Sequence, residues 1–247
     1  MWTHEESYRG RGITAFIHRE RLKGLMRLFG DLDFEDGGSL ADFGCSNGYI
    51  ISVLRAKLIP DADYELHGFD HSQELLELAD SRGIPGAEFH FVDLNDADGL
   101  DARWRGRFDI VTCFETIEHT GSFENAFENL YNACKRGGVI LLSMPNEKGG
   151  PGLVKYIGRK VFQKRPYGDF FEGRSEFDYV RSLVTNKRID TFRAPARAGW
   201  GPHLGFDWRV VRDFIEKTYV ETHRLGLMVE QRSFLNFNLF FGFRKTA

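Results

Sequence analysis

Ala41-Asp42-Phe43-Gly44-Cys45-Ser46-Asn47-Gly48-Tyr49 is the stretch of this 247-residue chain whose reading decides the fold. Ser39 to Phe43 is an apolar run of strand length, and Tyr49 to Leu58 repeats apolar residues at helix spacing. Between them lies a turn that uses glycine twice. Strand, turn and helix in immediate succession form the first unit of a doubly wound α/β sheet. There a ligand lies against bare backbone, because a missing Cβ permits close approach and the helix N-terminus offers N–H groups. The turn therefore reads as a nucleotide-type cofactor site. Its glycines, Gly44 and Gly48, are not spaced as in G-x-G-x-x-G, so a pyrophosphate cradle is disfavoured.

Working outward, the same rhythm continues on both sides. A second strand, Tyr64 to Phe69, ends in Asp70, where a carboxylate can accept both ribose hydroxyls of an adenosine. Asp70-His71-Ser72 opens a helix with Ser72 as N-cap and Leu75, Leu76 and Ala79 on its buried side. Glu88 to Val92 is a third strand ending in Asp93-Leu94. A fourth, Arg107 to Phe114, runs into Glu115-Thr116-Ile117-Glu118-His119, and a helix capped by Ser122 follows, with Phe123, Ala126, Phe127, Leu130 and Ala133 on one face. Val139 to Met144 is a fifth strand. Upstream, Gly12 to Phe29 has helix period and Gly30 as its stop. Downstream, Trp208 to Leu225 reads as a helix, and Leu227 to Arg232 and Asn236 to Phe243 as two closing strands, the last with Phe237, Leu239, Phe241 and Phe243 on one face. Strands alternating with helices predict a Rossmann-like, seven-stranded, mostly parallel sheet with helices on both faces and an antiparallel C-terminal hairpin. The expected organisation is one domain over 1–247, with an N-terminal helical segment over 1–38 and an insertion over 146–202.

Composition supplies a core and removes some partners. Hydrophobic residues make up 42% and aromatics 14%, 23 of them Phe, so the chain has ample apolar material to bury. A net charge of −3 and a pI near 6.3 give no global pull towards nucleic acid or membrane. The insertion departs from this, with 12 Lys or Arg against 6 Asp or Glu, and an anionic partner would meet it. Within it, residues 151–165 predict a helix with Leu153, Val154, Ile157 and Val161 on one face and Lys155, Arg159, Lys160, Lys164 and Arg165 on the rest. That helix reads as a lid, a peripheral membrane contact or a solvated basic face. Cys45, Cys113 and Cys134 have no metal-type spacing, and the absence of a signal segment or a ~20-residue apolar run predicts a cytoplasmic protein.

Residues Asp42 to Gly48 resemble the first motif of class I S-adenosylmethionine (SAM) methyltransferases, with Ser46 where that family often has glycine. The resemblance implies that Asp42 lies near the cationic methionine end of SAM, against the turn of Gly44, Cys45, Ser46 and Gly48. It also implies that Asp93 accepts from the adenine amino group while the neighbouring backbone N–H, at Leu94, donates to the ring. His71 and Phe114 complete the expected cofactor set. Three acidic strand ends, Asp42, Asp70 and Asp93, thus match one ligand's cation, diol and amine. A non-catalytic SAM-binding module would carry the same three.

Methyl transfer to oxygen needs a base near the acceptor, and His119, beside Glu118 at the sheet's carboxyl edge, is the candidate. Glu-x-x-Glu-His resembles two branches of the class. One is the ubiquinone-biosynthesis O-methyltransferase group. The other is the small-RNA terminal 2′-O-methyltransferases, in which both glutamates and the histidine bind a divalent metal with a distant second histidine. Carried onto this chain, that set is Glu115, Glu118, His119 and His203, suited to Mg or Mn. The expected activity is O-methylation of a small, anionic biosynthetic intermediate: a sugar, a nucleotide-linked, lipid-linked or quinone-type acceptor. RNA is disfavoured by the mildly acidic pI and by the lack of an aromatic and basic strand platform.

Overall fold

The computed structural model of the protein describes residues 13–30, 32, 37–59, 63–162, 175–185, 187–193 and 205–246. Tyr8 and His203, with the polar segment at 4–11, lie outside them. β1 (Ser39–Phe43) is buried along its whole length, as a strand covered on both faces must be. β2 (Glu65–Asp70) and β3 (Ala87–Phe91) lie to one side of it, and β4 (Phe108–Phe114) and β5 (Cys134–Pro145) to the other, all parallel. β6 (Leu225–Arg232) and β7 (Asn238–Lys245) close the sheet as an antiparallel pair, with β7 against β5. Seven strands, mostly parallel with a closing antiparallel pair, are as expected, and their order is β3-β2-β1-β4-β5-β7-β6.

Alternation along the central strands feeds two cores. Ile110 and Leu141 point to the side covered by α1 (Ile13–Gly30), α2 (Tyr49–Lys57) and α3 (Gln73–Asp80), whose Leu25, Phe29, Ile51, Leu54 and Leu76 share that cluster. Val111, Ile140 and Leu142 point the other way, onto Phe127 and Leu130 of α4 (Phe123–Ala133) and Val211 and Ile215 of α7 (Trp208–Ile215). Ser72 and Ser122 cap their helices as expected, accepting from Leu75 N at 3.4 Å and Asn125 N at 3.2 Å.

Several boundaries differ from expectation, among them the start of the fifth strand, at Cys134 and not Val139. The third strand sits one residue earlier than Glu88 to Val92. The α-helix from Trp208 stops at Ile215, and a π turn over Glu216–Val220 follows. That wider turn brings Tyr219 wholly inside, with its ring 4.9 Å from Phe127 and its hydroxyl donating to Glu128. The sixth strand consequently starts at Leu225. The last strand starts at Asn238, because Ser233 and Asn238 close the hairpin through two backbone-anchored bonds of 2.9 Å, leaving Phe237 ahead of the strand.

The insertion has its own small core. α5 (Gly149–Phe162) and α6 (Glu176–Val184) bury Tyr156, Tyr179, Leu183 and Ile189 together, with Leu153 against them. The apolar face expected on α5 is therefore divided: Leu153 packs inward, whereas Val154, Ile157 and Val161 are exposed. The helix is oriented by buried Glu147, which takes Lys155 at 3.2 Å and Arg159 at 2.7 and 2.9 Å. A second buried pair, Lys148 to Asp207 at 3.3 Å, joins the start of the insertion to the N-cap of α7. No helix among the described residues is long and apolar enough to cross a membrane.

Candidate functional site

The strand order reverses between β1 and β4, and in an open α/β sheet the crevice beyond the carboxyl ends at that point is where a ligand fits. Two turns build it. Gly44, at φ 77°, faces the turn after β4 so closely that a Cβ would lie 2.1 Å from Thr116 Oγ1. Gly48, at φ 71°, is the left-handed residue that opens α2, and a Cβ there would crowd Phe89 and Ala79 at 3.0 and 3.1 Å. Between them Ser46 also has positive φ, at 53°.

The first donors of the turn, ahead of the helix N-terminus, are engaged by the protein. Gly44 N and Cys45 N donate to Phe69 O at 2.7 and 3.1 Å, and Ser46 N donates to Asp70 Oδ2 at 2.8 Å. Asp70 Oδ1 accepts from Ser72 N at 3.0 Å. Asp70 thus fixes both the turn after β1 and the start of α3, and it lines the cleft with acceptor capacity left over. Cys45 is buried beneath the turn, and desolvation pushes its thiol well above the usual range, so it acts as packing.

Asp42 is almost fully enclosed and accepts from Thr112 Oγ1 at 2.6 Å. Burial raises its carboxyl to about 7, opposed by the Thr112 bond and assisted by the Asp70 charge. A carboxylate in that condition gains most from a cation placed beside it. The third acidic strand end, Asp93, directs Oδ1 to Asn95 N and Nδ2, both at 2.9 Å, while its neighbours Val92 and Leu94 wall the cleft. His71 lies at the rim with Nδ1 3.4 Å from Asp70. Phe114 packs edge-on against Phe29 of α1 at 5.9 Å, beside Asp42 and Gly44.

From Asp70 a cleft of about 290 Å³ runs past Phe69 and Leu75 to Glu115, Glu118 and His119. Glu115, at φ 53°, does not reach into it freely: Ser143 Oγ donates to one oxygen at 3.0 Å and Asn238 Nδ2 to the other at 2.9 Å, with Arg21 of α1 at 3.4 Å. Glu118 is 1% exposed, and its Oε2 has no hydrogen-bond partner among the described residues. Burial and the neighbouring Glu115 charge push its carboxyl well up, against the pull of Arg21 and Lys155. His119 opens to the cleft, with Nε2 3.9 Å from Glu118 Oε1. Glu118 and His119 therefore meet, while Glu115 is committed to Ser143, Asn238 and Arg21, and the fourth member of the expected metal set, His203, lies outside the described residues.

Several contributors were not anticipated. Arg21 and His18 of α1 line the cleft, and Arg193 of the insertion donates to Glu118 O and Thr120 O, holding the turn that carries His119. Ser143 and Asn238 come from β5 and β7. These residues share a site only through the sheet order, and nothing in their local sequence marks them.

Comparisons agree with this fold. A family model described as "Methyltransferase domain" matches residues 13–208. A protein of Burkholderia thailandensis named "Ubiquinone biosynthesis O-methyltransferase" is 30% identical over 159 residues, covering 64% of this chain and 63% of that one. Its namesake in Burkholderia pseudomallei is also 30% identical, over 53% of this chain and 55% of its own. The chain thus spans less than two thirds of these relatives. Among solved structures, the CurJ carbon methyltransferase superposes at TM-score 0.58 with 12% identity, over 98% of this chain and 57% of that one. A SAM-dependent methyltransferase from Aquifex aeolicus does so at 0.51 with 11% identity, over 90% and 88%. At these identities they share the fold.

Proposed function

Since the chain belongs to the methyltransferase-domain family and has the class I SAM-dependent fold, we propose that it methylates a hydroxyl of a small biosynthetic intermediate. The observation that carries this reading is His119, whose imidazole opens to the cleft beside the buried Glu118 carboxyl at 3.9 Å. An oxygen nucleophile must lose its proton as it attacks, and an imidazole in the cleft wall can take it.

The residues fit the methyl donor. The carboxyl of Asp42 is primed for a cation, Asp70 has acceptor capacity for a diol, and Val92 and Leu94 offer an apolar slot for a purine. Bound there, SAM supplies an electrophilic methyl on sulfur. The chain's own work is to position and deprotonate: Glu118 packs beside the imidazole, and Arg193 fixes the turn under both. The name carried by the Burkholderia relatives supports oxygen as the acceptor atom. Arg21 in the cleft and the excess of positive charge over 146–202 support an anionic acceptor, and exposed Val154, Ile157 and Val161 support one with a lipid tail.

The test is release of S-adenosylhomocysteine from SAM with a panel of catechol-type, sugar-nucleotide and polyprenyl-phosphate acceptors, with the product located by mass spectrometry. Turnover on a hydroxyl is expected. Methyl found on carbon or nitrogen overturns oxygen as the acceptor atom, and tight SAM binding without any turnover leaves a binding module.

A further inference from the structure

Away from the cleft, the sequence repeats Glu-x-His on adjacent parallel strands: Glu65-Leu66-His67 on β2 and Glu88-Phe89-His90 on β3. Residues two apart share a face, and the register pairs His67 with Glu88 and Phe69 with His90. Two imidazoles and two carboxylates consequently lie together at the sheet's edge. We propose that His67 Nδ1, His90 Nε2 and Glu88 Oε2 bind a divalent transition metal of the zinc class, independent of methyl transfer.

The geometry carries it. His67 Nδ1 and His90 Nε2 are 3.0 Å apart, and Glu88 Oε2 is 3.9 Å from the first and 3.7 Å from the second. Metal bonds of about 2.0–2.1 Å in a tetrahedral set place donor atoms roughly 3.3 Å from one another, so small rotations of Glu88 and the rings complete the triangle. Glu88 is 69% exposed, which leaves the fourth position to water. Behind the ligands His67 Nε2 faces Glu65 Oε2 at 3.8 Å, the placement of a carboxylate that settles a ligating ring's tautomer. Phe69, Trp104 and Phe108 hold the His67 ring, with centroids at 6.5, 5.0 and 5.3 Å, so the donor is preorganised.

Charge is compatible as well. Arg107 is nearby but paired with Glu65 at 2.6 Å, and Arg103 is drawn to Asp101 at 3.5 Å and over Trp104. Two rings and a carboxylate suit Zn, Co or Ni over Mg or Ca.

The experiment is titration of the EDTA-stripped protein with Zn²⁺ by calorimetry and with Co²⁺ by visible absorption, with quenching of Trp fluorescence as a second readout because Trp104 lies 4.7 Å from His90. One equivalent should bind, weakened on the order of 100-fold by His90→Asn and at least tenfold by Glu88→Gln, with His119→Ala unchanged. Absence of a stoichiometric site overturns the proposal, as does binding that His119→Ala abolishes and His90→Asn retains. Should His90→Asn fail to fold, Glu88→Gln, altered on an exposed carboxylate, decides by itself.

Discussion

The two ends of the cleft are built in opposite ways. At the β1 and β2 end, Asp42, Ser46 and Asp70 lie on two adjacent strand–turn–helix units, with Asp70 tying them together through Ser46 N and Ser72 N and a single bond from Thr112 of β4 reaching Asp42. At the β4 end, Glu115 is held by Arg21, Ser143 and Asn238, and the Glu118–His119 turn by Arg193, so four separate parts of the chain converge on five residues. The difference separates duties: a local, repeated construction suits a donor common to a family, and a dispersed one suits an acceptor peculiar to the protein. Each end should accordingly be breakable without the other.

The largest expected effect is at the dispersed end. His119→Ala should lower kcat by about 10²–10⁴, the usual scale for losing a general base, with SAM affinity by calorimetry unchanged. Equal loss of both would join the two ends into one unit.

Next comes Asp70→Ala. Two hydroxyl bonds to a charged acceptor contribute about 1.5–3 kcal/mol each, so SAM should bind roughly 100-fold or more weakly. Part of that loss is the untied Ser46 turn, and Asp70→Asn separates the two: its amide still has an oxygen for one backbone donor but loses the charge. An Asn variant that binds SAM as well as wild type would remove the ribose role.

The same division explains what the sequence disclosed. The alternation of strands and helices, the caps at Ser72 and Ser122 and the glycine turn follow from periodicity and backbone chemistry acting over a few residues, and all were legible. Asp93 at a strand end was legible as a position, but its Asn95 contacts depend on how the next loop folds back. The π turn after Ile215 answers the burial of Tyr219 against Phe127 and Tyr131, a tertiary demand without a local signature. Arg21 sits on a helix whose apolar spacing marked its core face, and only the packing of α1 over the crevice makes it a site residue. On α5 the apolar residues were visible, but buried Glu147, through Lys155 and Arg159, decides which of them face inward.

A smaller effect probes Asp42. With its carboxyl near 7 before ligand binds, SAM must meet an ionised Asp42 and displace its proton below that pH. Affinity should therefore rise about tenfold between pH 6 and 7.5 and then level off. Methylthioadenosine, which lacks the amino-acid end, should show no such rise, and neither should SAM with Asp42→Asn. A pH slope shared by both ligands would place the titrating group elsewhere.

The smallest concerns Glu118 and reads stability. Its folded carboxyl is raised well above the unfolded value near 4.5, so the native state holds a proton that the unfolded chain releases. Folding stability from this group is complete at low pH and declines as pH climbs above the unfolded value, until the folded value is passed. Glu118→Gln keeps the shape of the protonated acid and cannot ionise. Wild type and variant should therefore melt together near pH 5, and the variant should melt higher by a margin that grows towards pH 9. A margin that shrinks with pH would mean that Glu118 is held as a carboxylate by Arg21 and Lys155, and that the dispersed end of the cleft is organised by ion pairing and not by burial.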